Sequence, residues 1–123
     1  MSPAAHVPPG WPAEVRPVAD PDWQRSAVSW LLDQCPADYR GHRVLSRHPA
    51  ALIHLAAHHV EAQLQGNRQA LASVRSRLRD LPPPVLAEVV EVLEIEQVRL
   101  QAVARGLSLV GEALSGRRFV PRL

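Results

Sequence analysis

The chain has 123 residues, with 14 arginines, no lysine and 12 acidic side chains, for a formal net charge of +2 at pH 7. That length suits one small domain around one core, and an apolar content of 46% with a mean hydropathy of −0.11 excludes wholesale disorder. The pI of about 9.5 is no nucleic-acid signature: without lysine little titrates between the imidazoles and the guanidiniums, so a small positive excess persists to high pH.

Cys35 is the lone cysteine, which rules out an intrachain disulfide. The first residues carry neither a basic nor an apolar targeting region, so no signal peptide is expected. No apolar run approaches the ~18 residues of a membrane span. A cytoplasmic protein is expected, with no membrane partner, no nucleic-acid partner and no cofactor.

Six of the 12 prolines fall at or before Pro21. Proline locks its own φ and pushes the preceding residue away from the α region, so residues 1–20 are expected to form an extended arm. A flexible tail is the expected state, with Trp11 and Val15 as the anchors if it drapes over the domain.

A first helix is predicted over about 21–34, with Asp20 as N-cap, Pro21 in the first helical position and Pro36 beyond its end. Trp23, Ala27, Trp30 and Leu31 share one apolar face. Residues 36–48 read as a connection with a short turn near Val44 and Leu45.

A second helix is predicted over 49–81. Its apolar residues alternate in steps of four and three, from Ile53, Ala57, Val60 and Leu64 through Asn67 to Leu71, Val74, Leu78 and Leu81. The heptad keeps its phase across Gly66, which predicts one continuous helix although an interior glycine costs about 1 kcal/mol. Pro82-Pro83-Pro84 ends it and starts a third helix over 83–115. In that helix Leu86, Leu93, Leu100, Leu107 and Leu114 recur every seven residues.

The expected fold is all-α: a long, coiled-coil-like antiparallel helical hairpin, with the short N-terminal helix packed at its open end to make a three-helix bundle. Placing Leu81 beside Leu86 sets Asn67 opposite Leu100 and leaves Glu96 as the other polar seam residue, near enough to pair with Asn67. Both long helices carry a second apolar stripe. The first helix covers only the open-end half of it, so Val92 and Ile95 are expected to stay exposed as a partner surface.

His54 and His58 lie four apart, a spacing able to chelate a metal, with Glu61 one turn on. Ordinary surface and packing histidines are the expected role, since neither an HExxH nor an ExxH pair is present and the heptad phase of Glu112 points away from the seam. Arg68, Arg75, Arg77 and Arg79 on one limb and Glu88, Glu91, Glu94 and Glu96 on the other are expected to pair across the hairpin tip, Arg79 with Glu88 first. The terminal stretch carries Arg117, Arg118, Phe119 and Arg122 without an acid and is a second candidate contact element. No phosphate loop, nucleophile elbow or paired-carboxylate arrangement occurs.

A non-enzymatic interaction or scaffold protein follows, a helical hairpin that self-associates as a homodimer or docks on a larger protein. The alternatives are a metal-binding bundle using His54 and His58, and a nucleic-acid-associated protein acting through the arginine-rich tail.

Overall fold

The computed structural model describes residues 7–116. Every regular element among them is helical: α1 (Trp23–Asp33), a 3-10 turn (Ala37–Gly41), α2 (Arg43–Arg47), α3 (Pro49–Arg77) and α4 (Pro83–Leu114). α3 and α4 pack against each other as an antiparallel hairpin, and α1 lies across the open end of both.

α1 begins at Trp23 with Asp22 as its N-cap, two residues later than the prolines suggest. Asp20 does its work earlier. Its Oδ1 accepts a 2.8 Å bond from the Asp22 N–H and its carbonyl accepts one from Trp23, a side-chain turn that feeds the chain into the helix. Trp23, Ala27, Trp30, Leu31 and Leu32 are buried, so the face spaced for a helix is the face that meets the hairpin. Ala27 and Leu31 are fully enclosed. After Pro36 the 3-10 turn and α2 carry the chain to α3, burying Leu45 on the way.

Residues 7–20 are not a free tail. They form successive turns closed by Trp11 N–H to Pro8, Val15 N–H to Pro12 and Asp20 N–H to Pro17 bonds of 2.9–3.1 Å. Pro9 and Gly10, the latter at φ +93°, sit where a type II turn takes proline and then glycine. The Trp11 indole donates to the Val15 carbonyl at 2.9 Å, its ring lies 6.4 Å from that of Trp23, and Val15 is only 3% exposed. Arg105 of α4 donates to the Pro9 carbonyl. The segment thereby straps α1 to α4.

Gly106 lies beneath that strap. A Cβ there would stand 2.8 Å from Pro12 Cγ and 3.1 Å from the Trp30 ring. Gly106 therefore sits where both α1 and the arm come close to α4.

α3 runs without a break through Gly66. Val60 and Leu64 of α3 are buried in one core cluster with Leu100, Leu107 and Val110 of α4, and nearer the tip Val74 and Val90 are buried as well. Leu52 and Ala56, off the seam, are also fully buried, because α1 covers them. Full burial of such side chains contributes about 1.5–3 kcal/mol each.

The register differs from expectation by three positions. Asn67 Nδ2 donates to Gln97 Oε1 at 2.9 Å and to the Leu93 carbonyl at 3.0 Å, not to Glu96, and it faces Gln97 where Leu100 was expected. Ile53 lies 3.4 Å from the Cβ position of Gly111 where Leu114 was expected. The cause is the tip: α3 stops at Arg77, and Leu78–Leu81 form a turn closed by the Leu81 N–H on the Leu78 carbonyl. Leu81 precedes a proline, which disfavours the helical conformation the longer register needs.

Candidate interaction surface

α1 has 11 residues and α4 has 32, lengths of about 17 Å and about 48 Å at 1.5 Å per residue. The third helical layer therefore covers one end of the hairpin and leaves the tip two helices thick. Burial follows that geometry. Leu71, Leu86, Val89 and Leu93 are only partly buried although they lie on the seam.

Val92 and Ile95 are 64% and 62% exposed on the uncovered half of α4. Val98 is 67% exposed, and Val85 and Leu78 are 41% exposed. Val98 falls on neither heptad stripe of α4, so periodicity alone did not single it out. It shows only as a valine on the solvent side of a helix whose core face is already assigned.

The charges at the tip do not pair as expected. Among the described residues the ion pairs are Arg16–Asp20, Arg40–Asp33 and Arg99–Glu96. Arg79 lies in the turn beyond α3, which removes it from the helix face that would oppose Glu88. Glu96 is held by Arg99 of its own helix, whose Nε donates at 3.0 Å, and that bond lowers the Glu96 pKa and raises that of Arg99. The tip is left with Arg68, Arg75 and Arg77 exposed on α3 and Glu88, Glu91 and Glu94 exposed on α4. One limb is basic and the other acidic.

His54 and His58 are both exposed, their rings edge to face with centroids 4.7 Å apart. Glu61 is exposed and accepts a long bond from Gln65. No group of three or more His, Cys, Asp or Glu side chains placed to hold a metal occurs among the described residues. His59 has a structural role instead: its Nε2 lies 3.0 Å from the Tyr39 hydroxyl, tying the 3-10 turn to α3. Cys35 packs against the core, and burial raises its thiol pKa. An open depression of about 380 Å³ between α1, α2 and α3 is lined by Gln24, Arg25, Val28, Ser46, Arg47 and Pro49.

Arg117, Arg118, Phe119 and Arg122 lie outside the described residues. No helix among the described residues is long and apolar enough to cross a membrane. No protein-family model, curated protein or solved structure matches the chain.

Proposed function

We propose that the protein is a non-enzymatic interaction or scaffold module, acting in the cytoplasm through the uncovered half of its helical hairpin and self-associating there. One observation carries the reading: Val92, Ile95 and Val98 stand 62–67% exposed on a well-packed helix, past the point where α1 stops covering the hairpin. Exposed apolar area of that kind on a domain this small marks a protein contact. The arginine-rich end, with Arg117, Arg118, Phe119 and Arg122, joins this reading as a second contact element on sequence grounds.

The test compares the full chain with the V92D/I95D variant by sedimentation at micromolar concentration and by affinity capture from the native host. The reading expects a complex, with itself or with another protein, that the variant loses while its helicity stays unchanged. A monomeric wild-type chain that captures nothing the variant does not capture overturns it.

A further inference from the structure

Two arginines without a carboxylate share the open depression where α1, α2 and the start of α3 meet. Its volume is about 380 Å³, and no acid is among its lining residues. Arg25 comes from α1 and Arg47 from the last turn of α2. Buried Ala27 and Leu45 anchor those two helices in the core, so the backbones that carry the arginines are held in place.

Neither arginine belongs to any of the ion pairs among the described residues. Asp22, one turn before Arg25, neither pairs with it nor lines the depression. The chain nearby offers no other acid: residues 39–60 hold three arginines and five histidines, but no Asp or Glu. α3 adds to the positive field. It is 29 residues long, starts at Pro49 on the rim, and has neither an acid in its first turn nor a side-chain cap. The positive end of its dipole therefore stays uncompensated beside the two guanidiniums. Ser46 and Gln24 supply neutral donors, and Val28 with the Pro49 ring supplies a small apolar wall.

We propose that this depression binds the phosphate group of a small organic phosphomonoester. Guanidinium forks match phosphate oxygens two at a time, and two of them on separate helices suit a dianion better than a single carboxylate. The volume lies at the low end of small-molecule sites, roughly 300–1,000 Å³, which leaves room for an organic group against Val28 and Pro49. The site is at the open end of the hairpin, away from Val92 and Ile95, so it goes beyond the reading of the tip and does not depend on it.

The test titrates the full chain with phenyl phosphate, inorganic phosphate and benzoate in about 0.1 M NaCl, followed by calorimetry and amide-resolved NMR. Phenyl phosphate should bind with a Kd of about 1 mM or tighter and shift the amides of Gln24, Arg25, Ser46, Arg47 and Ala50. R25Q and R47Q should each weaken it about 10-fold or more, because each removes a charge-assisted donor. R68Q and R75Q remove the same charge from the other half of α3 and should leave binding unchanged. Circular dichroism checks that all four variants keep their helicity.

Inorganic phosphate binding as tightly as phenyl phosphate keeps the phosphate site and makes the free ion its ligand. No shift of those amides at about 10 mM phenyl phosphate overturns the proposal. So does benzoate binding equally well, or equal weakening by R68Q and R75Q, which marks an effect of net charge alone. An RNA oligonucleotide held through Arg25 and Arg47 when phenyl phosphate is not also overturns it, in favour of a nucleic-acid contact.

Discussion

Asn67 is 9% exposed in an apolar seam, and both of its recorded partners, Gln97 and the Leu93 carbonyl, lie on the facing helix. A buried amide of this kind fixes one register by making others leave it unpaired. N67A is expected to lower stability by about 1–3 kcal/mol in urea unfolding, through the lost bonds and the vacated volume. G106A adds a methyl group against Pro12 and Trp30 and should cost about 1–3 kcal/mol through overpacking. Acid sensitivity concentrates at two carboxylates. The Asp22 N–H, ahead of the Arg16 guanidinium, depresses the Asp20 pKa, and Arg99 depresses that of Glu96. Folding lowers both, so the stability they contribute is complete above the ordinary carboxylate values near ~4 and is lost as pH falls through the lower folded values. The D20N/E96Q chain should therefore show a shallower fall of melting temperature between about pH 6 and about pH 2 than the wild type.

Among the elements, the arm and the tip show what a sequence displays and what it hides. The two long helices are plain in the heptads, because a seam between packed helices needs an apolar residue every three or four positions whatever its partner. The register is not. It depends on how many residues the turn between α3 and α4 consumes, and a prolyl turn can stop a helix several residues before its apolar pattern ends, as at Arg77. The docking of the arm is hidden for a related reason. Proline forbids helix there but does not forbid packing, and docking depends on contacts distant in sequence, Pro12 with Gly106 and Pro9 with Arg105. The exposed Val92 and Ile95 were legible because a stripe longer than its covering helix must emerge somewhere. The unpaired charges were not, since spacing places a residue on a face without bringing two side chains into contact. Removing residues 1–19 should destabilise the domain by about 1.5–3 kcal/mol from the burial of Val15 alone, read as a lower urea midpoint.

For the whole molecule, the change from three layers to two predicts a gradient of local stability. The largest fully buried side chains among the described residues, Leu31, Leu52, Val60, Leu100 and Val110, lie where α1 covers the hairpin or just beyond it. Amide exchange by mass spectrometry should be slowest there and fastest over roughly residues 68–95, because local opening is cheapest where the fewest apolar contacts are broken. Raising the protein concentration should slow exchange at the tip and leave the open end unchanged, a separate readout of what covers Val92.

All three tryptophans of the chain, Trp11, Trp23 and Trp30, belong to the arm and to α1, at one end of an elongated body. Intrinsic fluorescence therefore watches that end alone, while the circular dichroism signal comes mainly from α3 and α4 along the full length. The molecule carries its own pair of optical reporters, one local and one global. A thermal ramp in which ellipticity begins to fall before the indole emission shifts would mark fraying that starts at the prolyl turn and reaches the aromatic end last.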